Sequence, residues 1–389
     1  MKPESFQITV TDAVLDDLRR RLSQTRWGAA LPDSGWDHGT SPSYLKEVVA
    51  YWMSGYDWRI HEAALNQLPQ FVSTIDGARI HFVHQRSRDA HALPLLLLHG
   101  WPDSFYRFHK VIPMLASPNR GDNIGDFAFD VVVPSLPGFG FTGEVMRASR
   151  EQPNRQYAEL LWRLMTEVLG YRRFAVAGGD GGSSLAQLLA IDHPESVIGI
   201  HLTDLAWHAV NVEPSTLPKH EREYLEHGKK QFMQDGAYIM VQTTKPQSLS
   251  PALNDSPSAL AAWILDRFHS WCDCDGNIER SFTKDELLTN IMIYWVTQTI
   301  GSSMKTYFDE TRSPSLTPKD HVNVPVALAL FPKDIAGVPP RSFAERTLNV
   351  QRWTEMPRGG HFAAWEEPEL YANDVTTFFH ELHATVSAV

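Results

Sequence analysis

The chain has 389 residues and a formal net charge of −11, from 35 Lys and Arg against 46 Asp and Glu. With 43% hydrophobic and 21% charged residues, 24 Gly and 25 Pro, its composition excludes disorder and fibrous architectures and allows about two domains or one large α/β core with insertions. The acidic balance, with no basic run longer than Arg19-Arg20-Arg21, excludes a nucleic-acid groove or an anionic membrane surface and favours a small neutral or apolar ligand.

Residues Met1 to Val10 carry no apolar signal core, so a cytoplasmic location is expected. Thr11 then reads as the N-cap of an amphipathic helix, with Asp12 in its first turn, Val14, Leu15, Leu18 and Leu22 on one stripe and Arg19, Arg20 and Arg21 opposite. A second helical stretch, Pro42 to Leu68, carries Tyr44, Leu45, Val48, Tyr51, Trp52 and Trp58 and is too aromatic to stand uncovered. Residues 1–70 therefore read as a helical arm packed on something larger.

From Phe71 the period changes to two, and Phe71 to Ile75, Asp76-Gly77 and Ala78 to Val83 spell a hairpin through a tight turn. Short apolar runs follow at Leu95 to Leu98, Phe129 to Val133, Phe174 to Ala177, Val197 to Leu202 and Val324 to Phe331, with helical patterns such as Gln156 to Leu169 and Ser183 to Ile191 between them. Runs without alternation are buried on both faces, so the alternating order predicts an α/β fold with a mostly parallel sheet. The longest apolar run, Leu93 to Leu98, is broken by Pro94 and falls far short of the ~18 residues that span a bilayer. The first part of the core is assigned to residues 71–206. Residues 207–314 show helix-like stretches (Ala259 to Trp271, Lys284 to Ile300) and no clear core strand, and read as an inserted helical cap over the carboxyl edge of the sheet. Within it Cys272 and Cys274 stand one residue apart, too close for an ordinary disulfide and without a second ligand cluster, so a plain loop and no metal are expected. Residues 315–389 complete the core.

Three loops carry chemistry. Gly178-Gly179-Asp180-Gly181-Gly182 lies between a strand and a helix, the context of a nucleophile elbow, with Asp at its tip and small residues where backbones crowd. The same glycines could cradle a phosphate, but the P-loop spacing and its Lys are missing. His99-Gly100-Trp101-Pro102 follows another strand, and in an α/β-hydrolase this loop aims one backbone N–H at an oxyanion while the residue after the nucleophile aims a second, here Trp101 and Gly181. His361 stands in a small-residue loop, Arg358-Gly-Gly-His-Phe-Ala-Ala-Trp365, and Asp334 lies 27 residues earlier, just past a strand. The order nucleophile, acid, His is that of the α/β-hydrolase triad. Asp204, at the end of the preceding strand, is the rival acid.

These residues make the sequence resemble the microsomal-type epoxide hydrolase family over nearly the whole chain, from Arg21-Leu-x-x-Thr-Arg-Trp27 through Tyr238-Ile-Met-Val-Gln-Thr-Thr-Lys-Pro-Gln and Leu253-Asn-Asp-Ser-Pro to Gly359-Gly-His-Phe-Ala-Ala. The resemblance implies an α/β-hydrolase core working without cofactor or metal, and without the N-terminal anchor of membrane-bound members. It assigns Asp180 as nucleophile, His361 as base, Asp334 as its orienting acid, and Tyr238 and Tyr307, the latter in Met304-Lys-Thr-Tyr-Phe, as the pair that holds the epoxide oxygen. His99, Gly100 and Pro102 are expected to line the pocket. The substrate is expected to be a small apolar or aryl-substituted epoxide, with a homodimer as an allowed assembly and with detoxification, catabolism and secondary metabolism all left open. Family members usually carry an aromatic residue after the nucleophile, and this chain has Gly181.

The residue type at the elbow selects the reaction. A carboxylate attacking an sp³ carbon gives an ester, which an activated water can hydrolyse, whereas Ser would give an inert ether. Opening an epoxide builds charge on oxygen, which a phenol O–H can meet. A haloalkane dehalogenase shares the Asp but grips halide with an N–H donor, often a Trp directly after it, which Gly181 removes. A silent binder of apolar ligands would not need the set Asp180, His361 and Asp334.

Overall fold

The computed structural model of the protein describes residues 2–28, 35–117, 127–143, 145, 151–205, 212–335 and 337–387. Its strands are β1 (Glu4–Ser5), β2 (Gln70–Ile75), β3 (Ala78–Gln85), β4 (Leu93–Leu98), β5 (Phe129–Pro134), β6 (Phe174–Gly178), β7 (Val197–Leu202), β8 (Val322–Leu330) and β9 (Leu348–Glu355). They form one sheet in the order β1-β2-β3-β5-β4-β6-β7-β8-β9. Pairing is antiparallel from β1 to β5 and parallel from β5 onward. Leu95 to Leu98, Val131 to Val133 and Phe174 to Ala177 have no exposed surface, as expected of strands covered on both faces. The chain leaves β4 for β5 on one side and returns to β6 on the other, so the strand order switches direction at β4, and a crevice opens beyond the carboxyl ends of β4 and β6.

Ahead of the parallel strands stand α1 (Asp12–Ser23), α2 (Pro42–Ser54) and α3 (Trp58–Leu65). Leu15, Leu18 and Leu22 of α1 are buried, while Val14, read as part of that stripe, is 37% exposed because it sits at the stripe's edge, about 40° beyond Leu18. The stretch read as one helix from Pro42 to Leu68 is two. Its break falls at Gly55, and Asp57 restarts the chain by accepting the Arg59 N–H. The turn Asp76-Gly77 has both residues at positive φ, the geometry a two-residue hairpin requires.

The layers around the sheet are α4 (Val111–Ala116), α5 (Pro153–Arg163) and α6 (Gly181–Asp192), then a run of helices between β7 and β8, then α13 (Arg341–Ala344), α14 (Ala363–Glu366) and α15 (Pro368–Ser387). The run comprises α7 (Lys219–Asp235), α8 (Ala237–Thr244), α9 (Pro246–Asp255), α10 (Pro257–Trp271), α11 (Lys284–Thr297) and α12 (Ile300–Arg312). The expected start at residue 207 lies outside the described residues. The pattern read to Ile300 as one helix ends at Thr297, where Gln298 turns left-handed and α12 begins. α1 to α3 lie against this run: Arg21 pairs with Asp255 at 2.6 Å, Tyr51 donates to Asp285 at 2.7 Å, and Tyr56 meets Thr289 at 3.1 Å. Strands β1 and β9, which were not anticipated, are the two edges, where short or partly polar strands give weak period-two signals. No helix among the described residues is long and apolar enough to cross a membrane.

Candidate active site

The turn from β6 into α6 places Asp180 with φ +55° and ψ −127°, a region that costs a non-glycine residue about 1–3 kcal/mol and is held by its surroundings. The flanking glycines are there for space. A Cβ at Gly178 would lie 2.6 Å from the Gly182 carbonyl, and one at Gly182 would collide with the Leu98 carbonyl of β4. Asp204 completes the clamp: its Oδ2 accepts the Asp180 N–H at 2.6 Å. Burial, then the Asp334 charge, pushes the Asp204 carboxyl up to about 6.

The loop after β4 closes over this turn. The Trp101 N–H donates to Asp180 Oδ1 at 2.9 Å, and a Cβ on Gly100 would strike the same carboxylate. Gly181 opens α6, so its N–H belongs to the positive end of the helix. Asn290 donates to the Pro102 carbonyl at 2.8 Å and Tyr294 to the Asp103 carbonyl at 2.6 Å, so α11 pins the loop from above. His99, expected in the pocket, lies beneath the loop instead, fully buried. Its Nε2 accepts the Leu136 N–H at 3.1 Å, so Nδ1 carries the proton and donates to the Gly100 carbonyl at 3.0 Å. Pro102 is likewise buried within the loop, in a cis peptide bond with Trp101.

His361 stands in the loop after β9 with Nε2 3.6 Å from Asp180 Oδ2 and Nδ1 3.0 Å from Asp334 Oδ2. Asp334, past the end of β8, is thus the acid at the imidazole, while Asp204 holds the elbow. Burial pushes the imidazole down, but the Asp334 and Asp180 charges outweigh it and lift His361 to about 10. At neutral pH the ring is an imidazolium between two carboxylates.

Tyr238 of α8 and Tyr307 of α12 face this pair from the opposite side. The Trp101 indole stacks on Tyr238, centroids 5.4 Å apart and nearly parallel, and meets Tyr307 edge-on at 6.0 Å; the two phenol rings are 6.3 Å apart. Burial, then the Asp180 charge, drives both phenols well above their usual range, so each keeps its proton at neutral pH. Arg267 lies 5.2 Å from the Tyr238 ring centroid and opposes that shift in part. The structure therefore brings together Asp180, His361, Asp334, Trp101, Gly100, Gly181, Tyr238 and Tyr307, and leaves His99 and Pro102 as supports.

Two supporting groups went unread in the sequence. Arg107, fully buried, pairs with Asp103 and donates from Nη2 to the His361 carbonyl at 2.7 Å, while Asp103 Oδ1 accepts the Gly100 N–H at 2.9 Å. Glu366, in the short helix α14, accepts backbone N–H groups on both sides of His361. The only signal was a charged residue next to apolar ones: Arg107 among Phe105, Tyr106 and Phe108, and Glu366 directly after Phe362-Ala-Ala-Trp365.

Comparison with known proteins gives the fold and the family. Residues 3–108 match the family model described as the epoxide hydrolase N terminus, and residues 94–244 match that of the alpha/beta hydrolase fold. The sequence is 36% identical to epoxide hydrolase 1 of Sus scrofa, over 96% of this chain and 87% of that protein. The solved juvenile hormone epoxide hydrolase of the silkworm Bombyx mori superposes with a TM-score of 0.88 at 28% identity, over 98% of this chain and 95% of that one. The Aspergillus niger epoxide hydrolase superposes with a TM-score of 0.85 at 29% identity, over 98% and 97%.

Proposed function

Because the chain belongs to the epoxide hydrolase family, we propose that it adds water to an apolar epoxide in two covalent steps and releases a vicinal diol. In the first step Asp180 Oδ2 attacks a ring carbon, the C–O bond of the epoxide breaks, and the departing oxygen takes a proton from Tyr238 or Tyr307. The product is a hydroxyalkyl ester of Asp180 with a tyrosinate beside it. Esterification removes the Asp180 charge that helped to hold the His361 proton, so the imidazolium gives that proton back to the tyrosinate and becomes a base.

In the second step neutral His361, its tautomer fixed by Asp334, takes a proton from water as the water oxygen attacks the ester carbonyl. The charge that develops on Oδ1 meets the Trp101 N–H, already 2.9 Å away, and the Gly181 N–H. The acyl C–O bond to the substrate then breaks, the alkoxide takes the remaining proton of the attacking water, and Asp180 returns as a carboxylate facing the imidazolium. Every proton is accounted for within the site, and the reading calls on no cofactor or metal. It also treats residues 1–70 as an arm, 71–206 with 315–389 as the catalytic core, and 207–314 as the cap that carries the phenols.

One observation carries the reading. The elbow carboxylate has one oxygen on the Trp101 N–H and the other 3.6 Å from His361 Nε2, so a single residue serves as nucleophile and then as the ester under attack. The test is His361→Gln, which removes the base but not the nucleophile. Intact-protein mass spectrometry after exposure to styrene oxide should show an adduct equal to the substrate mass, mapped to Asp180 and missing from His361→Gln/Asp180→Asn. An unmodified protein, or an adduct elsewhere, overturns the mechanism.

A further inference from the structure

A base that must strip a proton from water needs its ring placed to a few tenths of an ångström, yet His361 follows two glycines, Gly359 with φ +105° and Gly360, the most freely moving pair of residues available. What restrains the loop is a set of four consecutive backbone N–H groups, each with a partner. Gly359 donates to Asp273 Oδ2 at 2.9 Å, Gly360 to Glu366 Oε2 at 3.0 Å, His361 to the Trp271 carbonyl at 2.9 Å, and Phe362 to Glu366 Oε1 at 2.8 Å. Glu366 supplies two of the four acceptors, on the two residues that flank His361. Its Oε2 also accepts the Asp273 N–H at 2.7 Å, and Asp273 and Trp271 supply the other two acceptors. One carboxylate thus joins the His361 loop to the segment that ends α10, from the run of helices between β7 and β8.

We propose that Glu366 is a positioning residue for the second chemical step: it locks the backbone on both sides of His361 and couples the angle of that imidazole to the seating of the Trp271–Asp273 segment. This rests on the two-step reading above, and it assigns a role that neither the nucleophile, the acid nor the phenols can fill. Glu366 approaches the reacting atoms only through His361. The geometry also demands a carboxylate, since both oxygens face only N–H donors. An amide has a single oxygen, and its NH2 would be set against either the Phe362 N–H or the Gly360 and Asp273 pair, leaving buried donors opposed. Attack by Asp180 uses its own charge and does not depend on where the imidazole points to within such a margin, whereas hydrolysis does.

The experiment is a single-turnover comparison of wild type, Glu366→Gln, Glu366→Asp and His361→Gln with styrene oxide, following alkylation and ester hydrolysis separately by quenched intact-protein mass spectrometry. The expected result for Glu366→Gln is ester hydrolysis slowed about 10- to 100-fold with alkylation within about threefold of wild type, so that the adduct on Asp180 accumulates during turnover. A group that only supports folding would scale both steps by the same folded fraction, and equal losses in the two steps overturn the proposal, as does hydrolysis at the wild-type rate. Glu366→Asp keeps the charge but is one methylene too short to reach both sides of the loop, so it should show the same split with a smaller factor. It also serves if the amide variant does not fold, and failure of both to fold would overturn a positioning role separable from stability. His361→Gln keeps the two readings apart. If it forms no adduct, the covalent mechanism fails; if it does and Glu366→Gln shows no split, only the role of Glu366 fails.

Discussion

The two sides of the site are held in different ways. On the sheet side, the loops after β4, β6, β7 and β9 are laced through backbone groups: Asp204 to Asp180, Asp103 to Gly100, Arg107 to the His361 carbonyl, Glu366 to the residues beside His361. On the opposite side, Tyr238 stacks on Trp101 and packs against Trp271, and Tyr307 meets Trp101 edge-on, so apolar ring contacts set both phenols. Directional hydrogen bonds fix an angle, whereas apolar ring contacts fix a position and tolerate rotation. The difference matches the demands of the two proposed steps. A water must be deprotonated and delivered along one line, but the epoxide oxygen of varied substrates is met by two phenols acting together.

This contrast can be broken experimentally, beginning where the largest change is expected. Asp334→Asn should leave alkylation near wild type and slow ester hydrolysis by about 10²- to 10⁴-fold, because the amide no longer fixes the imidazole tautomer or sustains its charge. Asp204→Asn, whose carbonyl oxygen can still accept the Asp180 N–H, should cost far less. A reversed ranking in single-turnover kinetics would mean that the acid at the imidazole has been misassigned.

Substitutions on the opposite side should act on the other step. Tyr238→Phe and Tyr307→Phe are each expected to slow alkylation about 10- to 1000-fold with little effect on hydrolysis of a preformed ester, since the charge they meet exists only while the ring opens. Alkylation at the wild-type rate in both variants would remove the phenols from the mechanism.

Position 181 sharpens the comparison, because it lies on the laced side yet borders open space. A Cβ there would have Gly100 Cα, 3.9 Å away, as its nearest neighbour, and Gly181 has no positive φ that would require glycine. An indole fills about 200 Å² of contact surface, so Gly181→Trp should lower kcat/KM for bulky aryl epoxides by about tenfold or more and for small ones by about threefold or less. Equal losses on both would show that the residue shapes the elbow and not the pocket.

The smallest effect expected is on stability. His361 sits near 10 in the folded protein against an ordinary value of 6.5, so the stability its charge contributes is fully present below about pH 6.5 and is lost as pH rises through about 10. Wild-type Tm should therefore fall from about pH 6 to about pH 10, and the fall should be shallower in Asp180→Asn, where one of the two carboxylates that raise His361 is gone. Parallel Tm profiles in the two proteins would exclude that charge pairing.

The sheet strands that flank the site were legible in the sequence because β4, β5, β6 and β7 are short, mainly apolar runs with Gly, Pro or Asp close by, a pattern that follows from burial. The elbow was legible for a steric reason that is also local: Gly178 and Gly182 stand where two backbones touch. Elements at the margins were harder. β1 and β9 are edge strands with weak alternation, and the helix break at Gly55 and the αL residue Gln298 sit inside continuous apolar periodicity that hides them.

Within the site, the sequence by itself determined which residue types were available and in what chain order: an Asp at a strained turn, a His between small residues, carboxylates after two successive strands, and phenols in a helical segment. Spacing could not choose between Asp204 and Asp334, since both follow strands of the same sheet. Only the tertiary structure decided, by setting Asp334 3.0 Å from the imidazole and Asp204 on the Asp180 N–H. The same holds for His99, which its motif suggested for the pocket and which folding turned inward to serve Gly100 and Leu136. Arg107 and Glu366 acquire their roles from partners far away in the chain or from backbone groups, which carry no side-chain signature in a sequence. Local sterics and periodicity are written residue by residue, whereas the partner of a buried charge is fixed only when distant loops are brought to the same end of one sheet.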